Sequence, residues 1–216
     1  NGYTYTAPHN KSWPSKVFAI DSEKVNFEKL YSEMKIGTLP KSLGIMEDEV
    51  VEKRLLQHGF EQTSIVKAMV LKLSEVQKPI KDFQSIIQVD NGDQAIEFSK
   101  IASQSFGYDI LPSTVVSILN NSVNIKLFIG KHLNKFVSCG MIYLDKKGVS
   151  GIHLIGTLSE YRGLGLGKIM TDKLTNEAYK NQSREVVLVA SKSGERIYAK
   201  KGFIAKGALK SFVIKV

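Results

Sequence analysis

The run Gly156-Thr157-Leu158-Ser159-Glu160-Tyr161-Arg162-Gly163-Leu164-Gly165-Leu166-Gly167-Lys168 constrains this chain more than any other stretch. An apolar run, Ile152 to Leu158, leads into it. Ile169, Met170, Leu174 and Ala178 follow at helical spacing. A glycine-rich turn therefore joins a strand to a helix N-terminus. The first amides of such a helix have no partner within the helix, and they lie at the positive end of its dipole. A turn of this kind binds a phosphate or a diphosphate.

The spacing narrows the choice of ligand. The dinucleotide pattern G-x-G-x-x-G fails in both registers, because its third glycine falls on Lys168 or on Met170. The nucleoside-triphosphate pattern G-x-x-x-x-G-K-[ST] meets Gly167-Lys168 but needs a glycine at Arg162 and a hydroxyl at Ile169. With no hydroxyl there, no Mg²⁺ ligand is evident. The pattern that fits is Arg162-x-x-Gly165-x-Gly167. It resembles the acyl-CoA diphosphate loop of the GCN5-related N-acetyltransferases (GNAT), Q/R-x-x-G-x-G/A. Leu158-Ser159-Glu160-Tyr161-Arg162-Gly163 is also similar to a common family phrase, with Ser159 where proline is usual. A Cβ at Gly165 or Gly167 would hold the backbone away from the phosphates.

The residues after 83 read as one domain in the order β-αα-βββ-α-β-α-β. Expected strands cover Ile86 to Val89, Ile125 to Ile129, Lys135 to Leu144, a stretch ending near Leu158, Glu185 to Ala190, and Ala208 to Val216. Helices are expected over Gln94 to Ser103, Pro112 to Leu119, from the phosphate loop to about Lys180, and Gly194 to Lys201. This order resembles the GNAT fold: an α/β domain with a central mixed, mostly antiparallel twisted sheet flanked by helices. The closing Ile197-Tyr198-Ala199-Lys200-Lys201-Gly202-Phe203 resembles the family's terminal (L/I)-Y-x-(K/R)-x-G-F.

Residues 1–80 carry a faint second copy. Gly59-Phe60 set on Gly202-Phe203 gives an offset of 143. Glu52 to Leu55 then fall on Glu195 to Tyr198, and Met69 to Leu73 on Phe212 to Val216. A strand at Val17 to Ile20 and helices at Asn26 to Met34 and Met46 to Gln57 are expected. The expectation is a smaller, partial, non-catalytic GNAT-like domain over 1–80. It has no glycine-rich loop, and Leu55 stands in the place of Tyr198. The catalytic domain is expected over 84–216, with a linker near Gln77 to Lys81.

The chemistry that the resemblance implies is direct transfer of an acetyl group from acetyl-CoA to a primary amine. The amine must lose a proton, and the oxyanion of the tetrahedral intermediate needs a main-chain N–H. Tyr198 is expected to donate to the departing thiolate. With reference values near 10 for Tyr and 8.5 for a thiol, full transfer is uphill by about 2 kcal/mol. His153, in the strand before the loop, is the candidate base, as in arylalkylamine-acetylating members. Ile155, Gly156 and Thr157 are expected along the pantetheine. Arg162, Gly163, Leu164, Gly165, Leu166, Gly167 and Lys168 are expected around the diphosphate, and Ser191 near the pantetheine. Other members place a glutamate base in the strand Val186 to Ala190, which has no acid here, so a water chain without a dedicated base stays open.

Apolar residues make up 43% and charged residues 24%, which excludes a disordered chain. No apolar run reaches membrane length. The lone Cys139 excludes an intrachain disulfide and fits a reducing, cytoplasmic setting. It lies in an apolar strand, so a structural thiol is expected rather than a nucleophile. The net charge is +9, of which +6 lies between Asn181 and Val216 (eight Lys/Arg against two Glu). A CoA polyanion accounts for this bias, and nucleic acid is the weaker reading because no recognition motif is present. The expected partner is a small-molecule or peptide amine, with the protein a monomer or homodimer. A non-catalytic acyl-CoA-binding module remains the alternative function.

Overall fold

The computed structural model describes residues 1–8, 12–75 and 82–215. The linker expected near Gln77 to Lys81 lies outside the described residues. The chain divides into two compact units, Asn1–Ala68 with Lys206–Val216, and Met69–Ala205.

The first unit contains β1 (Thr4–Thr6), β2 (Lys16–Phe18), α1 (Phe27–Lys35), β3 (Ser42–Met46), α2 (Glu49–Gln57) and most of β4 (Phe60–Lys72). Asn26 caps α1 by accepting from the Lys29 amide at 2.9 Å. Its buried residues Phe27, Leu30 and Met34 recur at helical spacing. Asp48 caps α2 by accepting from the amides of Val50 and Val51, and Val51 and Leu55 face inward. The core joins Val17, Leu30, Met34, Leu43, Leu55 and Phe60 to Phe212, near the chain's other end. Phe212 belongs to β10 (Ile204–Ile214), which pairs antiparallel with β3 from Leu209–Met46 to Val213–Ser42. Burying Phe212 alone contributes about 1.5–3 kcal/mol.

The second unit contains β5 (Ile86–Gln88), α3 (Gly92–Phe106), α4 (Pro112–Asn121), β6 (Ile125–His132), β7 (Lys135–Leu144), β8 (Val149–Thr157), α5 (Leu166–Lys180), β9 (Glu185–Ala190) and α6 (Lys192–Ala199). Its strand order is β4-β9-β8-β7-β6-β5, where β4 supplies residues 69–72. The pairs β5–β6, β6–β7 and β7–β8 are antiparallel, and β8–β9 is parallel. This is the mixed, mostly antiparallel sheet that the residues after 83 imply. Asn91 caps α3 by accepting from the Gln94 amide, and Pro112 opens α4. The core lies between the sheet and α5, where Met170, Leu174 and Ala178 meet Phe128, Ile142, Ile152, Leu188 and Phe203.

Three elements differ from the sequence reading. β3 is not expected from the sequence, because Gly44 and its short length hide the strand pattern; its burial comes from pairing with distant β10. β1 is likewise unexpected; its three residues are exposed. β4 runs over 60–72, much longer than Met69 to Leu73 suggests, since most of its first half is solvated and shows no apolar alternation.

Helix, glycine and strand follow one another twice. α2 ends before Gly59 (φ +84°) and leads into β4; α6 ends before Gly202 (φ +91°) and leads into β10. Both glycines adopt the left-handed conformation that terminates a helix.

Candidate active site

The strand leading into the glycine loop is irregular where it matters. β8 pairs with β9 from Val149–Glu185 to Ile152–Leu188, and the register ends there. On its other side the register with β7 shifts between Cys139 and Met141. Leu154 in this bulge has φ +51°. The Cys139 thiol donates to the Leu154 carbonyl at 3.3 Å. In a trans peptide the carbonyl and the following N–H point in opposite directions. The Ile155 N–H therefore points away from Cys139. Burial pushes the Cys139 thiol up to about 12, so it stays protonated and is a structural donor rather than a nucleophile.

Beyond the bulge, Ile155, Gly156 and Thr157 form one wall of a cleft of about 890 Å³. A short 3₁₀ turn, Ser159–Tyr161, follows, with the ring of Tyr161 6.0 Å edge-on from His132. Arg162 folds back so that its Nε donates to the Thr157 carbonyl at 3.3 Å. Gly165 is the N-cap of α5, at φ +77°, and no side chain caps the helix. The first amides of α5 are therefore left for an incoming acceptor. A Cβ at Gly163, Gly165 or Gly167 would meet nothing within 4 Å. The cleft lining includes Arg162, Gly163, Gly165, Leu166, Gly167 and Lys168. Leu164 is not on that wall and is 53% exposed.

α6 also contributes to the cleft lining. Gly194, Ile197 and Tyr198 of α6 line the cleft, Gly194 spaced three and four residues from the other two, and Lys201 lines it from the turn just after the helix. Tyr198 is buried, and its ring lies back over the preceding turn. A Cβ at Gly194 would come within 2.9 Å of Tyr198 Cε2, so a glycine there lets the ring lie flat. Phe203 holds the ring edge-on at 5.8 Å. Burial pushes the Tyr198 hydroxyl up to about 12. Ser191 also lines the cleft, but its Oγ caps α6 by accepting from the Gly194 amide at 3.3 Å. Lys201 is ion-paired with the buried Asp172 of α5.

His153 sits on β8 just before the bulge and is not among the residues lining the cleft. Its ring lies over Gly151, where a Cβ would be 3.0 Å from Nε2. His153 is exposed, yet the protein packed around its ring desolvates the charged form and lowers its pKa. The imidazole is therefore neutral near pH 7. Glu160 is exposed beside Ser159, whose hydroxyl donates to it at 2.8 Å.

The cleft thus has an open glycine loop at an uncapped helix N-terminus, an opened strand edge, and a protonated tyrosine. Residues 92–212, more than half of the 216, match the acetyltransferase (GNAT) domain model. The chain belongs to the GNAT family. Solved GNAT structures share its fold. A GCN5-related N-acetyltransferase from Kribbella flavida superposes with a TM-score of 0.73 at 16% identity, covering 93% of this chain and 81% of that one. A putative GNAT-family acetyltransferase from Novosphingobium aromaticivorans gives 0.69 at 14% identity, covering 98% and 87%. A tandem GNAT protein of the clavulanic acid biosynthesis pathway gives 0.62 at 10% identity, covering 92% and 74%. No curated protein matches the sequence significantly.

As a GNAT domain, the chain supports acyl transfer from acyl-CoA in general terms. Sequence reasoning missed Ser105, Phe106, Tyr161, Ser193, Ile197 and Lys200, which also line the cleft. Nothing local marks Ser105 and Phe106. The helical phase of Tyr198 would have found Gly194, while Lys201 follows in the turn after α6. Among the described residues no helix is long and apolar enough to cross a membrane.

Proposed function

We propose that the protein is an N-acetyltransferase that moves an acetyl group from acetyl-CoA to a primary amine on a small molecule or peptide. The observation that carries this reading is one cleft lined both by an uncapped helix N-terminus with open glycines and by Tyr198. The residues fit the group, because the space beside Gly163, Gly165 and Gly167 is open and no side chain occupies the amides of α5. Those amides, with Arg162 and Lys168, would hold the diphosphate. The edge at Ile155 to Thr157 would pair with the pantetheine as an added strand. The thioester supplies the activated acyl carbon.

The other roles belong to the chain. The Ile155 N–H, turned by the Cys139–Leu154 bond, would stabilise negative charge on the acyl oxygen. Tyr198 would hold its proton toward the sulfur as the amine displaces it. The amine proton would leave through water, with neutral His153 as its acceptor. We further propose that the N-terminal unit is a partial GNAT-like domain without a CoA site, since its helix α1 is entered through Asn26 rather than through glycines. The lone reduced thiol supports a cytoplasmic location, and a monomer or homodimer is the proposed state.

A nucleic-acid role finds less support. Lys210 and Lys201, two cations of the basic C-terminal stretch, are engaged by Glu52 at 2.7 Å and by Asp172. The test is calorimetry with CoA and acetyl-CoA, followed by thiol release from acetyl-CoA over a panel of amines. Saturable CoA binding with amine-dependent release supports the proposal. CoA binding without release under any amine would favour a binding module, and no CoA binding would end the reading.

A further inference from the structure

The last turn of α3 brings Ser105 against β8 at Gly156. A Cβ on Gly156 would stand 2.7 Å from both Ser105 Cβ and Oγ, and 3.1 Å from Cys139 Sγ. Helix and strand meet this closely because Gly156 has no side chain. The Ser105 Oγ is shut off from solvent and has no hydrogen-bond partner. The neighbouring thiol offers no donor, since Cys139 gives its hydrogen to Leu154. Two other serines of α3 are satisfied: Ser99 donates to the Ile110 carbonyl, and Ser103 accepts from the Ile110 amide at 2.9 Å. A buried hydroxyl with no partner costs free energy, and a native fold rarely keeps one without a reason.

The reason lies in where Ser105 stands. It lines the same cleft as Ile155, Gly156 and Tyr198, and its contact is with the backbone of Gly156. A step to another staggered χ1 well, of about 120°, would be needed to turn Oγ toward a ligand in the cleft. Such steps take picoseconds to nanoseconds. A ligand carbonyl in the cleft would give this hydroxyl the acceptor that the protein withholds. We propose that Ser105 is a substrate-positioning hydroxyl that donates to the carbonyl oxygen of the bound acyl group and so distinguishes acyl-CoA from free CoA. This rests on the acyl-CoA reading above.

Ser105→Ala tests it with measurements that need no turnover. Wild type and variant are titrated by calorimetry with acetyl-CoA and with CoA, without amine, and the ligand-free proteins are melted. The expected result is about five-fold weaker acetyl-CoA binding, the size of one neutral hydrogen bond. CoA affinity should not change, and the ligand-free melting temperature should stay level or rise, because an unsatisfied hydroxyl is gone. Unchanged acetyl-CoA affinity would overturn the proposal. So would equal weakening of both ligands, or a lowered melting temperature, which would make the hydroxyl structural. If wild type binds neither ligand, the acyl-CoA reading itself falls, and this is separable from a failure of Ser105 alone.

Discussion

Replacing Tyr198 by Phe removes one hydroxyl from the buried wall of the cleft and leaves the ring, its edge contact with Phe203 and its fit over Gly194 in place. Burial raises the hydroxyl to about 12. Against a reference thiol near 8.5, the gap is roughly 3.5 units, or about 5 kcal/mol at ~1.36 kcal/mol per unit. Reference values alone give about 2 kcal/mol, so burial more than doubles the mismatch. Complete proton transfer to a thiolate is therefore strongly uphill. Under the proposed function, the contribution left to Tyr198 is a hydrogen bond to a charged sulfur, on the order of 1.5–3 kcal/mol. Tyr198→Phe should then lower kcat by about 10- to 150-fold while CoA affinity stays within about two-fold.

The sign of the pH effect follows from the same shift. A tyrosine raised to about 12 keeps its proton throughout the range in which most enzymes are assayed. An ordinary tyrosine would be half ionised near pH 10. Rates of thiol release at saturating acetyl-CoA, from about pH 7 to about pH 10, should show no decline in wild type that Tyr198→Phe removes. Two results would refute this reasoning. One is a fall in kcat below about three-fold. The other is an alkaline decline centred near pH 10 that is present in wild type and absent in the variant.

Three further outcomes are expected. Gly167→Ala places a methyl in open space in the first turn of α5, so propensity should stabilise the fold by up to about 1 kcal/mol, raising the melting temperature while CoA binding by calorimetry weakens. His153 has a lowered pKa, so the acid limb of kcat/KM should lie below the ordinary histidine value; His153→Ala should remove that limb and cut the rate by about 100-fold, and an unaltered rate would leave water as the only base. Glu177 opposes its own burial with hydrogen bonds from Lys180, Lys173 and Lys126, all at 2.9 Å, and is held at about 2. Its folded pKa is depressed, so it adds up to about 3 kcal/mol above the ordinary value of 4.5, and this is lost as pH falls toward 2; Glu177→Gln should flatten the acid side of the melting-temperature profile.

The second unit was legible in the sequence wherever local chemistry determines structure. Glycines, caps and periodic apolar residues mark the ends of α3, α5 and α6 without reference to distant residues. Pairing was not legible. The residues of β10 read as a strand, but nothing in them says that Phe212 faces Leu43. A cut between 80 and 84 follows composition along the chain, whereas compactness follows burial, which groups Lys206–Val216 with Asn1–Ala68. The cleft divides in the same way. The glycine loop and Tyr198 announce themselves by spacing. Ser105 does not, because its significance is a missing hydrogen bond, and only the packing of α3 on Gly156 creates it.

The glycines of the second unit fall into two physical classes, and the difference bears on function. Gly140, Gly156 and Gly194 are crowded: a Cβ there would come within 3.0 Å of Met170, Ser105 or Tyr198, so packing alone requires them. The loop glycines are not crowded. At Gly165 the left-handed backbone is a sufficient reason for glycine. Gly167 has neither reason, since its φ is not in the left-handed region and no atom lies within 4 Å of its would-be Cβ. Alanine there would strengthen the helix at no steric cost to the protein. Gly92, the first residue of α3, shares both features, so they do not by themselves mark a site; what sets Gly167 apart is its place on the cleft wall, at a helix start that no side chain caps. There the proposed function supplies a reason for glycine: an anion could approach the main chain closely.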